Sequence, residues 1–345
     1  MATLAGVHAA DTALVKRLGD DVHAVLARAL RQASACALVD FPRHRNAGDS
    51  AIWLGEIAAL RRLGVAVRAT CDRRTYSPSG LRRAVGDHPI LLHGGGNLGD
   101  LYPTHQELRE RVLTDFRGHP TVQLTQSIQF NDAANLERMR RVVARHGALT
   151  IIVRDERSEA IAREKFDAHI ERGPDLAFAI GPMARPRPAR VPVLRLARSD
   201  REAAVGARGD AHPTFDWLAP PASRRTRARF AASDGLMALA VGGRAPGVLP
   251  ARARRLAYDG YARQNVDRAA RMLSNAEVVI TDRLHGHILC ALLGIPHVLV
   301  DDRYGKVGSF FSSWTSGLRS ARFARDPGQA AALADELLSP TRAAA

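Results

Sequence analysis

The sequence predicts an α/β fold in which two domains of parallel sheet face each other across a cleft. From Ala35 onward, short apolar runs rich in β-branched residues alternate with helical patterns, as in repeated strand–helix–strand units. With 345 residues, the chain also exceeds the size at which a single hydrophobic core usually stops growing. We therefore expect two Rossmann-like domains that bind their ligands at the carboxyl ends of the strands.

The first domain is predicted over residues 1–184. Its strands are expected at Ala35–Phe41, Val65–Cys71, Pro89–His93, Thr121–Thr125 and Leu149–Arg154. Its helices, marked by apolar residues at helical spacing, are expected at Asp49–Leu63, His105–Phe116 and Ala133–His146. The segment Gly181–Pro192 is rich in proline and arginine, which suits an exposed connection and places the domain boundary there.

The second domain is predicted over residues 185–345 and should be smaller but similarly built, with helices at its C-terminal end. Its strands are expected at Val193–Ala197, Glu277–Thr281 and His297–Val300, and a helix at about Tyr258–Ser274. A long basic stretch from Arg198 to Leu256 shows no clear pattern and is expected to be irregular.

The formal net charge of +15 comes almost wholly from arginine. Such a surplus attracts polyanions, anionic lipid headgroups and phosphorylated small molecules alike, and a high-GC genome also produces it. Aromatic residues are scarce and not interleaved with the basic ones, so nucleic acid is not an expected partner. The three widely spaced cysteines are predicted to be buried thiols. No apolar stretch approaches the ~20 residues that span a bilayer, so we expect a cytoplasmic protein.

The motif Asn46-Ala47-Gly48-Asp49-Ser50 lies between the first predicted strand and the first predicted helix. One interpretation is that Asp49 or Ser50 caps the helix with its side chain, which alone would account for the motif. The alternative is that the helix N-terminus, with its unpaired amides, faces an anionic ligand in the cleft.

A run of three glycines, Gly94, Gly95 and Gly96, directly follows the third predicted strand and continues into Asn97. The run formally matches GxGxxG, but it does not follow the first strand and lacks the acidic residue of a dinucleotide site. Three consecutive glycines indicate that a ligand or another stretch of backbone approaches closely, and we expect the ligand.

The motif Thr281-Asp282-Arg283-Leu284-His285-Gly286-His287 spans the end of a strand and the start of a helix. Arg283 and His285 together offer a bidentate fork and a titratable ring to an anion. The alternative is a structural bridge between Arg283 and a buried aspartate.

Two further motifs are shorter. Arg154-Asp155 should reach the same cleft from the first domain, unless the two residues form a local ion pair. Lys306 follows the last predicted strand.

In this order and spacing the motifs resemble the polysaccharide pyruvyl transferase family, and most closely its bacterial exopolysaccharide branch. The resemblance runs from about Asp40 to Trp314 and rests also on His105-Gln106, Gln126-Ser127, Ser158, Asp175 and Tyr304. It implies a GT-B-like fold and transfer of the enolpyruvyl carbons of phosphoenolpyruvate to two hydroxyls of one sugar, with release of phosphate.

The resemblance also assigns residues. His285 and His105 become the catalytic candidates, and the donor-binding candidates are Arg154, Arg283, Leu284 and Lys306. The glycine loop and the acceptor side comprise Asn46, Asp49, Gly94, Gly95, Gly96, Asn97 and Gln126. The segment Arg198–Leu256 departs from the family pattern, which leaves the acceptor undefined.

The chemistry suits these residue types. Phosphoenolpyruvate carries a carboxylate and a phosphate, so its site needs at least two cations, which Arg154 and Arg283 would supply. Ketal formation requires protonation of the methylene carbon, and histidine titrates near neutral pH. His285 would be the general acid or base and His105 would orient the phosphate or share the proton transfers, and the reverse assignment is equally open.

We expect no metal and no cofactor, with phosphoenolpyruvate as co-substrate. The expected partners are phosphoenolpyruvate and a sugar acceptor. Because acceptors in this family are often lipid-linked, a lipid-linked oligosaccharide and peripheral contact with the anionic inner face of the membrane are hypotheses as well.

Three other functions remain open at this stage. A GT-B glycosyltransferase using a sugar nucleotide would share the architecture and the basic cleft. A serine hydrolase would use Ser50 with Asp282 and His285, although such enzymes place that pair close to the C-terminus. A noncatalytic protein that binds an anionic polysaccharide or membrane would need only the positive surface.

Overall fold

A computed structural model describes residues 4–199, 212–219, 224–241 and 251–342. All paired strands in these ranges are parallel and lie in two sheets flanked by helices. The expected α/β class with parallel sheets is therefore confirmed. The strands through residue 172 lie in one sheet and those from residue 191 onward in the other, and the boundary between domains 1–184 and 185–345 stays a prediction.

The first sheet has seven strands in the order β2-β1-β3-β5-β6-β7, and β4 pairs with β5 beyond the end of β3. These strands are β1 Ala35–Val39, β2 Ala66–Cys71, β3 Ile90–Leu92, β4 Gly95–Gly99, β5 Thr121–Gln129, β6 Leu149–Val153 and β7 His169–Arg172. The helices are α1 Leu4–Leu30, α2 Ala47–Arg62, α3 Pro78–Val85, α4 Pro103–Asp115, α5 Ala133–His146 and α6 Glu156–Lys165, followed by a 3₁₀ helix at Leu176–Ile180.

The second sheet has five strands in the order β12-β11-β10-β8-β9. These strands are β8 Val191–Leu196, β9 Thr214–Phe215, β10 Ala276–Thr281, β11 His297–Val300 and β12 Ala321–Ala324. The helices are α7 Arg224–Val241, α8 Ala251–Leu273, α9 Leu284–Leu293, α10 Lys306–Phe310 and α11 Pro327–Arg342, with a π-helical turn at Phe311–Thr315 after α10.

Two expectations about local structure need correction. The glycine run does not form a loop, because Gly95–Gly99 pairs with β5 as a short strand. The stretch expected to be irregular contains the helix α7 and the first turns of α8, and residues 200–211, 220–223 and 242–250 of that stretch lie outside the described residues. The long N-terminal helix α1 was not predicted.

Helix α2 holds the two sheets together. It is buried on nearly all sides, as expected for a helix enclosed by other elements rather than facing solvent. It packs against the 3₁₀ helix that follows the first sheet and against α8 and α9 of the second. Trp53 of α2 is fully buried and its indole N–H donates to Asp259 of α8 at 2.9 Å. The largest hydrophobic core cluster accordingly includes residues from strands of both sheets.

Glycine in α2 permits this packing. A Cβ at Gly55 would lie 1.9 Å from the carbonyl oxygen of Leu176, whereas a Cβ at the exposed Gly260 in α8 would meet nothing within 4 Å. Gly55→Ala should therefore lower the free energy of unfolding by about 2 kcal/mol or more, because backbone must move. Gly260→Ala should raise it by up to about 1 kcal/mol, since alanine is the better helix former. Urea denaturation of both variants measures this, and a stabilised Gly55→Ala would contradict the packing argument.

Candidate active site

A pocket of about 330 Å³ lies where the carboxyl ends of strands from both sheets meet. Arg154 follows β6 of the first sheet, and Arg283 and Asp302 follow β10 and β11 of the second. Side chains that follow strands of both sheets therefore surround one space. All of the predicted site residues line this pocket except Gly94, Gly95 and Gln126.

Asp175 joins Arg154 and His285 on one wall of the pocket. Arg154 donates to Asp175 at 2.6 Å and to the hydroxyl of Ser127 at 3.0 Å. Nε2 of His285 lies 3.4 Å from the same carboxylate, at ion-pair distance. Burial alone would raise the pKa of Asp175, but His285, Arg154 and the amide of Ala177 together hold it well below its ordinary value. A carboxylate that is ionised at neutral pH therefore orients both groups.

Arg154 and Asp155 do not form the local ion pair considered from the sequence. Asp155 caps α6 instead, accepting from the amide of Ser158 at 2.8 Å, and it also accepts from the hydroxyl of Ser127 at 2.6 Å. The two adjacent residues therefore have different partners: Asp155 caps α6, and Arg154 pairs with Asp175.

The Asn46–Ser50 motif makes room for His285. Nearly all space beside Gly48 is taken by the imidazole, because a Cβ there would lie 2.6 Å from Cγ of His285. Neither Asp49 nor Ser50 is the cap: Asn46 caps α2 by accepting from the amide of Gly48 at 3.0 Å, and its own amide donates to Asp49 at 2.8 Å. Asn46 and Asp49 nevertheless line the pocket.

His105 has a carboxylate partner that the sequence analysis missed. Its Nδ1 lies 2.9 Å from Oδ2 of Asp40, the residue that directly follows β1. Burial would raise the pKa of Asp40, but His105 above all holds it below its ordinary value. Because an ionised carboxylate only accepts, Nδ1 carries the shared proton, and Nε2 is left to gain or lose one. The position of Asp40 at a strand end was the signal that could have found it.

His44 was also missed. It lines the pocket beside His105, with the two ring centroids 6.0 Å apart, and its Nε2 lies 3.5 Å from Oδ2 of Asp49. Three imidazoles therefore share the pocket. Among the described residues, no group of three or more histidine, cysteine, aspartate or glutamate side chains is arranged to hold a metal ion.

The glycine run approaches protein rather than ligand at its first position. A Cβ at Gly94 would lie 2.9 Å from the carbonyl oxygen of Thr125, and the Gly94 amide donates to Glu56 at 2.9 Å. Glu56 also pairs with His93, both fully buried. At Gly94 the close approach is therefore that of another stretch of backbone, and not of the expected ligand. Gly96 does line the pocket, and a Cβ there would lie 3.0 Å from Nη2 of Arg154.

Asn97 is held in the pocket wall by two buried side chains. Arg109 donates to its amide oxygen at 2.6 Å, and Gln126 both donates to that oxygen and accepts from the Asn97 backbone amide. Burial lowers the pKa of Arg109 to about 10. Gln126 thus lies behind the pocket and positions Asn97 rather than lining the pocket itself.

Arg283 is anchored by a residue that the sequence analysis did not identify. It donates to both oxygens of Asp216, at 2.7 and 2.8 Å, and its guanidinium carbon lies 5.4 Å from the ring centroid of Trp217. Asp282, the neighbouring aspartate, accepts instead from the amide of Arg198 at 2.9 Å. Arg283 also occupies the N-cap of α9, and Leu284 and His285 in the first turn of that helix line the pocket, so the positive end of the helix borders the pocket.

Lys306 completes the cationic part of the pocket. The side chain of Asp302 accepts from the amides of both Tyr304 and Lys306, which fixes the turn before α10. Arg157 donates to the carbonyl of Tyr304 and thereby connects this turn to α6. Lys306 is almost completely buried and lines the pocket with Arg154 and Arg283.

A buried histidine pair supports α9 behind His285. His297 donates from Nδ1 to the carbonyl of Ile295 at 2.7 Å, so its Nε2 accepts from Nδ1 of His287 at 2.7 Å. Nε2 of His287 then accepts from the hydroxyl of Thr315 at 2.8 Å. Burial lowers the pKa of both imidazoles, so the pair stays neutral and every ring nitrogen has a defined partner.

The serine hydrolase alternative finds no support in this geometry. Ser50 is fully buried, accepts from the side chain of Asn265 at 3.0 Å and does not line the pocket.

The three cysteines are buried thiols, as expected, and burial raises the pKa of Cys36 and of Cys71 to about 12. No helix in the described ranges has the length and apolar character to cross a membrane.

Comparison with known proteins identifies the relatives of this chain. The family model described as polysaccharide pyruvyl transferase matches residues 46–303. Pyruvyl transferase 1 of Schizosaccharomyces pombe is 35% identical over 293 residues, which are 81% of this chain and 70% of that protein. EpsO of Bacillus subtilis, named as a candidate pyruvyl transferase, is 33% identical over 82% of this chain and 86% of its own length.

A solved structure shares the fold at low sequence identity. An uncharacterised protein from Klebsiella pneumoniae superposes with a TM-score of 0.57 over 88% of this chain and 97% of that chain, at 16% identity.

Loss of the charge on Asp175 should destabilise the pocket wall, because Arg154 would remain buried without its partner. Its folded-state pKa lies below the unfolded value of about 3.9, so its contribution is complete above that pH and is lost as the pH falls through the folded pKa. Asp175→Asn leaves Arg154 buried without its anion and should lower the free energy of unfolding by about 3–5 kcal/mol near pH 7. The deficit relative to the wild type should shrink below about pH 4.

Urea denaturation between neutral and acidic pH measures this deficit. The exposed Asp167→Asn is the matched control and should stay within about 0.5 kcal/mol of the wild type. An Asp175→Asn deficit that is constant across the pH range would contradict the ionised assignment.

Proposed function

The chain belongs to the polysaccharide pyruvyl transferase family, and we propose that it joins the enolpyruvyl carbons of phosphoenolpyruvate to two hydroxyls of one sugar, forming a pyruvate ketal. The observation that carries this proposal is the convergence of three buried cationic side chains, Arg154, Arg283 and Lys306, on a pocket that also holds His105 and His285. A pyruvyl transferase requires both a site for a small polyanion and groups that move protons.

The donor would bind at the cationic end of the pocket. Phosphoenolpyruvate carries two anionic groups on a three-carbon frame, which matches cations supplied from different strand ends. Leu284 and His285 at the N-terminus of α9 border the same space, and the helix dipole favours an anion there. Asp175 and Asp216 hold Arg154 and Arg283 in place before the donor arrives, so little side-chain ordering is left for binding.

In the proposed mechanism, His285 donates a proton to the methylene carbon of the donor, which becomes a methyl group. The adjacent carbon acquires oxocarbenium character, and the oxygen of the first sugar hydroxyl bonds to it. The bond to phosphate then breaks, and the oxygen of the second hydroxyl bonds to the same carbon. Of the two hydroxyl protons, one restores the proton given by His285 and the other leaves with phosphate.

His105 would accept the proton of the first hydroxyl and pass it to the departing phosphate, while the proton of the second hydroxyl returns to His285. Its Nδ1 is committed to Asp40, so Nε2 is the nitrogen available for transfer, and the nearby carboxylate stabilises the imidazolium that forms. The sequence left open which histidine is the acid. The shared contact of His285 and Arg154 with Asp175 favours His285 as the group beside the donor.

Phosphate release from phosphoenolpyruvate tests the proposal, measured with and without methyl galactosides, glucosides and mannosides. The purified protein should release phosphate only with an acceptor. Arg283→Ala should reduce kcat/KM by about 30-fold or more through loss of a desolvated contact, and His285→Gln should reduce kcat by about 10²- to 10⁴-fold. The exposed Arg83→Ala and His169→Gln are matched controls and should behave as the wild type.

Other outcomes of the same assay would change the assignment. A less than tenfold loss in Arg283→Ala would count against its role at the donor. Turnover of a sugar nucleotide without turnover of phosphoenolpyruvate would establish the glycosyltransferase alternative, which family membership does not favour.

A lipid-linked sugar acceptor and peripheral contact with an anionic membrane belong to the same proposal, supported by the formal net charge of +15. The protein should float with vesicles that contain phosphatidylserine, remain at the bottom of the gradient with phosphatidylcholine alone, and dissociate as salt is raised. No association with the anionic vesicles at low salt would refute the membrane contact.

A further inference from the structure

Large apolar side chains are rarely exposed in the described part of the chain, and two of those that are lie at the pocket. Tyr102 is 37% exposed, Leu218 is 38% exposed and Leu256 is 56% exposed. Tyr102 and Leu218 both line the pocket, whereas Leu256 does not. Folding does not require exposed apolar side chains at the rim of a basic pocket, so these side chains indicate a ligand.

The pocket changes character with depth. Three of its cations are nearly fully buried, with Arg154 and Arg283 each 3% exposed and Lys306 8% exposed, whereas Arg198 is partly exposed. The lining residues that are exposed to solvent are Tyr102, Thr104 and Leu218, and two of these three carry large apolar side chains. A small polyanion therefore fits the deep end, and a second ligand that reaches the pocket from solvent meets the Tyr102 and Leu218 side chains at its entrance.

The side chains that carry this apolar surface are fixed by the same elements as the proposed catalytic groups. Tyr102 and His105 lie one helical turn apart at the start of α4, so a ligand on Tyr102 has an imidazole within reach. On the other side, Asp216 accepts from the amide of Leu218 at 3.0 Å as well as from Arg283. The carboxylate of Asp216 therefore positions both Arg283, a candidate for binding phosphoenolpyruvate, and Leu218 at the apolar rim.

We propose that Tyr102 and Leu218 form the acceptor subsite, where the apolar C–H face of one pyranose ring packs while its hydroxyl edge is directed to His105 and His44. The inference rests on the proposed function and adds to it the surface that recognises the sugar. Pyranose rings present hydrogen atoms bound to carbon on their faces and hydroxyls around their edges, so an apolar platform beside imidazoles matches both parts.

Steady-state kinetics of phosphate release separates this subsite from the donor site. The acceptor is the methyl glycoside that gives the fastest release with the wild type, varied at saturating phosphoenolpyruvate and then held fixed while phosphoenolpyruvate is varied. Tyr102→Ala should raise the acceptor KM by about tenfold and Leu218→Ala by about threefold, from loss of apolar contact. The KM for phosphoenolpyruvate and the thermal unfolding temperature should stay at wild-type values.

Two variants control for structural effects. Leu256→Ala removes a more exposed leucine away from the pocket and should behave as the wild type. Tyr102→Phe keeps the ring and should keep the low acceptor KM. Tyr102 occupies the N-cap of α4 without a side-chain capping bond, so its replacement removes no cap.

The outcomes distinguish the subsite from the proposed function. Acceptor-dependent release with acceptor KM values unchanged within twofold in both alanine variants would overturn the subsite and leave the pyruvyl transferase proposal standing. Equal increases in the KM for acceptor and for phosphoenolpyruvate would also overturn it, since that pattern indicates general distortion. No release from phosphoenolpyruvate with any glycoside would overturn the proposed function and the subsite together.

Discussion

Helix α2 packs against its neighbours through glycines, and the rest of the structure depends on that close approach. At Gly55 the backbone of Leu176 comes so near that no Cβ fits, and at Gly48 the imidazole of His285 fills the same kind of space. Because proteins are close-packed, the contact at Gly55 fixes α2 against the 3₁₀ helix that follows the first sheet, and the contact at Gly48 fixes it against α9 of the second sheet. Packing in the core therefore determines the shape of the pocket at the N-terminal end of α2.

Buried carboxylates determine where the positive groups of the pocket can lie. Asp175, Asp40 and Asp216 each accept from a candidate donor-binding or catalytic side chain, and the environment lowers the pKa of each of them. Burying such pairs adds little net stability, since desolvation offsets most of the attraction. Their effect is to orient the guanidinium and imidazole groups before a substrate binds, which is the arrangement that electrostatic catalysis requires.

Hydrogen bonding behind the lining supplies the remaining rigidity. Gln126 and Arg109 hold Asn97, and Asp302 holds the turn that carries Lys306. Gln126 and Arg109 lie behind the lining, whereas Asp302 also lines the pocket. A residue can therefore belong to the motif pattern of the family and still act only by positioning its neighbour, as Gln126 does.

The sequence by itself determined the α/β class, most strands and the residues that follow the strand ends, because alternating apolar runs and strand-end polar motifs are local patterns. It also predicted that Arg154, Arg283 and His285 would share one pocket, because they follow strands and the carboxyl ends of two parallel sheets were expected to border one cleft. Only the tertiary structure decided the partners. Asp216 is 67 residues from Arg283 and Asp40 is 65 residues from His105, and no local pattern encodes a pairing at such separations, because it depends on how the two sheets pack around α2.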